Sequence, residues 1–190
     1  MKEEKLYRKY NNSRHWEEHP TVYAEAFADF LKNKNFSGLI VDIGCSSGRD
    51  VEVFSKSGFS TMGIDCSKEE IDLAETKYPK LKFELQNIEN SILKDNSVGA
   101  YFMINVIHYV NKEKAVQEIY RTLKSGGYFF IHFNLDIVDK DGNNDYHHDE
   151  NDIMQLVSMF NIIHRKIVKR KDRRPVMHTH RILELILQKQ

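Results

Sequence analysis

Apolar positions along this chain recur with two different periods. Val98 to Ile104 is a nearly continuous apolar run, the pattern of a strand covered on both faces. The run at 38–43 reads the same way, and Phe59 to Ile64 is a shorter strand that ends at Asp65. Further strands are predicted at about 81–85 and from Tyr128 to Phe133. Between these runs the spacing becomes helical. Residues 20–33 carry Val22, Ala26, Phe27 and Phe30 at that spacing, and 48–57 form a second helix ended by Gly58. Ser67 is a predicted N-cap with Glu70 three residues later, as in a capping box, and its helix stops before Pro79. Lys112 to Lys124 places Ala115, Val116, Ile119, Tyr120 and Leu123 on one side of a helix. Ser125-Gly126-Gly127 is a turn. After a polar loop at 134–148, residues 149–159 read as helical, and strands at about 161–169 and 180–188 flank a loop from Lys171 to Thr179. Strands alternating with helices imply parallel βαβ units with right-handed crossovers. The final strand pair implies a hairpin, so the sheet is expected to end with an antiparallel strand.

Composition narrows the function classes. The 190 residues suit one domain with a real core. No apolar run approaches the ~20 residues of a membrane helix, and the charged start Met1-Lys2-Glu3-Glu4-Lys5 has no apolar signal region after it. Equal counts of 28 acidic and 28 basic residues argue against a duplex nucleic-acid binder. The basic run from Lys169 to Arg174 reads as a solvated hairpin loop. Cys45 and Cys66 are the only cysteines, and a reducing cytoplasm is their simplest setting.

The chemistry concentrates where the first strand breaks. Asp42-Ile43-Gly44-Cys45-Ser46-Ser47-Gly48 puts bare backbone N–H groups at a strand's carboxyl end, where open α/β sheets bind ligands. Asp42 sets a negative charge there, which repels a pyrophosphate and suits a cation. The spacing Gly44-x-x-x-Gly48 departs from the dinucleotide fingerprint, which disfavours a nucleotide-binding oxidoreductase. The segment resembles motif I of the class I S-adenosylmethionine-dependent methyltransferases, acid-x-Gly-x-Gly-x-Gly. Ser46 replaces the middle glycine, and the loop is expected to survive this if that position has ordinary backbone angles.

Other segments resemble the same family in the same order, over roughly residues 36–188. The resemblance implies a Rossmann-like three-layer αβα sandwich. Its seven-stranded, mostly parallel sheet has the order 3-2-1-4-5-7-6, with the last strand antiparallel. It implies that Asp65 binds the adenosine ribose through its two-acceptor carboxylate, with Cys66 and Ser67 near the adenine. Gln86-Asn87-Ile88-Glu89-Asn90 is similar to the family's adenine-binding segment, with Asn87 accepting from the amino group and Ile88 offering its N–H. Met103 and Ile104 would line the methionine arm. Asp42, Gly44, Cys45, Ser46 and Gly48 complete the expected cofactor set. Leu123-Lys124-Ser125-Gly126-Gly127 resembles the structural turn before strand five.

The implied activity is methyl transfer from S-adenosylmethionine to a small-molecule acceptor, leaving S-adenosylhomocysteine. Methylation of a protein or RNA side group, and a non-catalytic regulatory module that binds the cofactor, remain open beside it. His108 after strand four and His132 in strand five are the candidate general bases. By resemblance, residues 1–35 form a lid segment and helix, in which Tyr7, Tyr10 and Trp16 cover the cofactor, and 36–190 form the methyltransferase domain. His147-His148 with Asp149 and Glu150 reads as a solvated loop. His178 and His180 share one face of a strand, with contact to substrate and simple packing both open. No metal is expected, and the sequence assigns neither the acceptor nor an oligomeric state.

Overall fold

The unbroken apolar run of Val98–Ile104 (β4) becomes the middle of one sheet, buried along almost its whole length. A computed structural model describes residues 19–173 and 176–190. On the amino-terminal side of β4 lie the helix Val22–Asn33 (α1), the strand Leu39–Ile43 (β1), the helix Arg49–Lys56 (α2) and the strand Ser60–Asp65 (β2). The helix Lys68–Lys77 (α3) and the short strand Phe83–Leu85 (β3) follow. Beyond β4 come Lys112–Thr122 (α4), Leu123–Asp139 (β5), Asn144–His147 (β6), Glu150–Leu156 (α5), Phe160–Asp172 (β7) and His178–Lys189 (β8). Local chemistry fixes the helix starts. Thr21 caps α1 by accepting from Ala24 N–H at 3.2 Å, and Ser67 caps α3 through Glu70 N–H at 3.3 Å.

The sheet order is β3-β2-β1-β4-β5-β8-β7. Strands β1 to β5 run parallel, β8 is antiparallel to β5, and β7 is antiparallel to β8. This is the expected order with one strand added. The addition is a correction to the sequence reading, which took 134–148 as a polar loop. Here β5 continues to Asp139 and folds back as β6, which pairs antiparallel with it. Leu135, Ile137 and Tyr146 are buried, an every-second-residue pattern thinly spread among polar neighbours.

Apolar layers cover both faces. On one side Ala24, Phe27, Ala28 and Leu31 of α1 and Phe54 of α2 pack on Ile40, Ala100, Phe102, Phe130 and Ile186. On the other, Ala115, Val116 and Ile119 of α4 and Ile153 of α5 cover Val41, Tyr101, Met103, Phe129, Ile131 and Leu185. The strand order reverses between β1 and β4, and that switch point opens a crevice beyond their carboxyl ends. No helix among the described residues is long and apolar enough to cross a membrane.

Candidate active site

The loop after β1 is built so that backbone, rather than side chains, faces the crevice. Gly44 has φ +70°, and a Cβ there would overlap the Val106 side chain. Gly48, at φ +81°, starts α2 where a Cβ would strike the Phe83 ring. Between them Ser46 also lies in the left-handed region, at φ +47°. The condition placed on the serine substitution is therefore not met, and the loop survives by another route. Ser46 N–H donates to Asp65 Oδ2 at 3.1 Å, and its hydroxyl donates to Glu70 Oε2 at 2.9 Å. These two bonds offset a left-handed penalty of about 1–2 kcal/mol.

A cavity of about 520 Å³ opens here, inside the range of roughly 300–1,000 Å³ usual for small-ligand sites. Its wall brings together nine of the expected cofactor residues: Asp42, Gly44, Cys45, Ser46, Asp65, Cys66, Asn87, Ile88 and Ile104. Two expected residues are elsewhere. Gly48 shapes the loop from behind the wall. Met103 is fully buried in the core, because neighbours on a strand point to opposite faces and Ile104 takes the cavity side.

Carboxylates dominate the electrostatics. Asp42 is buried, and its pKa is pushed well above the usual carboxylate range by loss of water and then by repulsion from Asp50, with Arg49 opposing. Its negative charge is thus conditional on a nearby cation, not fixed as the sequence suggested. Burial also raises Asp50 and Asp65, although Asp65 accepts from Ser46 N–H and from Ser67 N–H at 2.9 Å. An ionised carboxylate has about four acceptor positions, so Asp65 keeps capacity for a diol. Asn87 spends one oxygen lone pair on Glu89 N–H, at 2.9 Å, and keeps the other. Burial pushes the thiol pKa of Cys45 and of Cys66 up, which leaves neither as an activated nucleophile.

The sequence reading missed several wall residues. Arg49, Asp50, Glu70, Gln86, Asn105, Val106, Tyr109 and Val110 all line the cavity. Gln86 donates its amide to Glu84 while its buried Oε1 has no hydrogen-bond partner, an orphaned acceptor on the wall. Asn105 sits at φ +58° at the end of β4, a left-handed conformation that asparagine tolerates. Asp50 accepts from Thr21 N–H at 2.7 Å and Thr21 Oγ1 at 3.2 Å. That pair bolts the start of α1 to the cavity mouth. Tyr7, Tyr10 and Trp16 lie outside the described residues.

Neither candidate base reaches the wall. The turn in which Tyr109 N–H bonds Val106 C=O, at 2.9 Å, sends Val106 and Tyr109 toward the cavity and His108 inward. His108 Nε2 accepts from Asn134 N–H at 3.3 Å, and its Nδ1 lies 2.6 Å from the Tyr146 hydroxyl. Burial, helped by His148, lowers its pKa to about 3. A neutral ring whose lone pair is already engaged is a poor proton acceptor. His132 is fully buried on the α1 face against the Tyr23 ring, and burial again holds it neutral.

Parallel βαβ topology, a glycine-bent loop after β1 and an acid at the end of β2 together describe the fold of a class I S-adenosylmethionine-dependent methyltransferase. Residues 41–131 match the sequence profile of the family described as Methyltransferase domain. A protein of Invertebrate iridescent virus 6 that carries a methyltransferase name is 30% identical over 115 residues, 54% of this chain and 42% of that protein. A ubiquinone biosynthesis O-methyltransferase of Pelagibacter ubique is 31% identical over 96 residues, 48% of this chain and 40% of that protein. The chain thus spans less than half the length of these curated relatives. A crystal structure of a SAM-dependent methyltransferase from Methanosarcina mazei superposes with a TM-score of 0.68 at 21% identity, covering 80% of this chain and 92% of that one.

Proposed function

We propose that the protein binds S-adenosylmethionine in the cavity after β1 and transfers its methyl group to a small-molecule acceptor. The observation that carries this is the acid-lined wall beside a glycine-bent loop. Asp42 and Asp65 are both pushed toward protonation in the absence of a positive ligand. A cation recovers that lost electrostatic energy, whereas a pyrophosphate is repelled. The residues present fit the cofactor. Asp65 has acceptor capacity for the ribose hydroxyls, and the orphaned Gln86 Oε1 supports an acceptor for the adenine amino group beside Asn87. When bound, the sulfonium supplies a methyl group already activated for displacement.

The chain's own contribution is binding and alignment. Asp42 balances positive charge, the Gly44–Gly48 loop lets the cofactor approach the main chain, and Ile104, Val106 and Val110 exclude water beside the transfer path. His108 and His132 hold structure and are not offered as bases. The O-methyltransferase name of one relative and the balanced charge support a small acceptor.

Calorimetry with S-adenosylmethionine, S-adenosylhomocysteine and NAD tests the binding step. Both sulfur compounds are expected to bind, and Asp65→Ala to weaken them by at least ~10-fold, the scale of lost hydrogen bonds to a charged group. Binding of NAD alone overturns the reading. Mass spectrometry of methyl-acceptor pools tests the transfer step. Methylation confined to protein or RNA overturns the small-acceptor assignment, and cofactor binding with no methylation in any pool points to a regulatory module.

A further inference from the structure

The mouth of the β7–β8 hairpin gathers three metal-ligand side chains, none of which lies on the wall of the cofactor cavity. Asp172 at the end of β7 pairs in register with His178 at the start of β8, and His180 follows two residues on, on the same face. One ligand atom from each of the three lies within 4.8 Å of the others. Both imidazoles are buried, with His178 3% and His180 6% exposed. We propose that Asp172, His178 and His180 bind a divalent first-row transition ion.

The hydrogen bonds behind the two rings decide their tautomers. His178 Nδ1 lies 2.7 Å from the Val176 carbonyl oxygen, which can only accept, so Nδ1 carries the proton. His180 Nδ1 lies 2.8 Å from Asn134 Oδ1. The Asn134 amide orientation is set from its other end, where Nδ2 lies 3.3 Å from Asn105 Oδ1 and 3.1 Å from His108 Nε2. His180 Nδ1 is therefore a donor as well. In a neutral ring each Nε2 is then the basic nitrogen. These nitrogens lie 3.8 Å (His178) and 3.2 Å (His180) from Asp172 Oδ2. The closer approach has no hydrogen-bond alignment, and His180 Nε2 has no hydrogen-bond partner.

Two imidazole nitrogens and a carboxylate thus converge as acceptors on one small volume. A cation between them removes the conflict. Ring N–H groups tied to a backbone carbonyl and to a side-chain amide are the outer shell by which metal-binding histidines are oriented. An N₂O donor set suits zinc and its neighbours in the first transition row better than magnesium or calcium. Three protein ligands leave coordination positions open. Arg170 works against the ion: its Nη2 is 2.9 Å and its Nε 3.1 Å from Asp172 Oδ2. This arginine partly neutralises the carboxylate, so it should weaken the site without abolishing it.

The proposal is independent of methyl transfer, and its test reads metal directly. The full chain, stripped with a chelator, is titrated with zinc chloride by calorimetry and with Co²⁺ by visible absorption. One saturating equivalent is expected, with a ligand-field spectrum of mixed nitrogen and oxygen donors. Asp172→Asn and His180→Ala are expected to weaken zinc at least ~10-fold. Arg170→Gln removes no ligand and is expected to tighten zinc several-fold, the reverse of what general loss of structure does. In the wild type, Co²⁺ should shift the ring protons of His178 and His180, which needs no variant. Absence of saturable binding, unshifted His178 and His180 protons, or affinity unchanged by Asp172→Asn and His180→Ala overturns the proposal.

Discussion

Asp42 shows how one side chain can oppose folding and favour binding. Its folded pKa is raised, first by burial and then by Asp50. The sign of the linkage follows: the stabilising contribution of this group is full below the unfolded value near 3.8 and is lost as pH rises through the raised folded value. At pH 8 the ligand-free protein therefore carries the cost of a buried carboxyl whose ionisation is opposed. Asp42→Asn should raise the melting temperature of the ligand-free protein at pH 8, because the amide removes a buried group that resists ionisation. The same change should weaken S-adenosylmethionine. Thermal denaturation and calorimetry on the one variant measure both. A variant that melts lower and binds as tightly would remove Asp42 from its proposed role. Ser46 belongs to the same scale. Ser46→Ala keeps the left-handed strain and loses the bond to Glu70, so it should cost about 0.5–1.5 kcal/mol. Ser46→Gly loses that bond but relieves the strain, and should fall within about 1 kcal/mol of the wild type. Urea unfolding of the pair checks the order, and glycine less stable than alanine would contradict it.

Elements differ in how openly the chain encodes them. β1 and β4 were legible as dense apolar runs, and β2 as a short segment between Gly58 and the acid Asp65. The start of α3 was legible from Ser67, although only half of the capping box forms as written. Glu70 N–H bonds Ser67, while the Glu70 carboxylate takes the Ser46 hydroxyl from the neighbouring loop. That second contact is tertiary, and no local spacing signals it. β6 was missed because its buried anchor Tyr146 sits among polar residues, and the turn before it is held by Asp139, whose Oδ1 accepts from Asp141 N–H and Asn143 N–H. The burial of Met103 followed from strand alternation and could have been read. The direction of His108 could not. Which residues of the turn after β4 face the cavity depends on Asn134 and Tyr146, which are contributed by β5 and β6. Nine of the eleven expected cofactor residues lie on the cavity wall for the complementary reason: they occupy strand ends whose position the βαβ order itself dictates.

Across the whole molecule, the crevice and the β5–β6–β8 region are joined by polar side chains. Asn105 on the cavity wall meets Asn134, and Asn134 meets both His108 and His180. Such a buried network specifies one arrangement only while every ring keeps its tautomer. His108 is the member most exposed to failure in acid. Its pKa falls from the ordinary value of 6.5 to about 3, chiefly through burial. The unfolded chain then takes up the proton first as pH drops. The stabilising contribution of neutral His108 is full above pH 6.5 and is lost progressively as pH falls toward about 3. His108→Gln should be less stable than the wild type at pH 7, because the bond to Tyr146 is altered. It lacks the titrating ring, however, so the stability gap between the two proteins should shrink steadily from pH 7 to pH 4, by up to about 1.4 kcal/mol per pH unit, and the gap in melting temperature should narrow with it. Affinity for S-adenosylmethionine at pH 7 should change little, since His108 is off the wall. A melting series in matched buffers reads the first effect and calorimetry the second. A gap that stays constant down to pH 4 would mean that His108 is protonated in the folded protein at ordinary acidity, and the inward-facing, neutral ring described here would have to be abandoned.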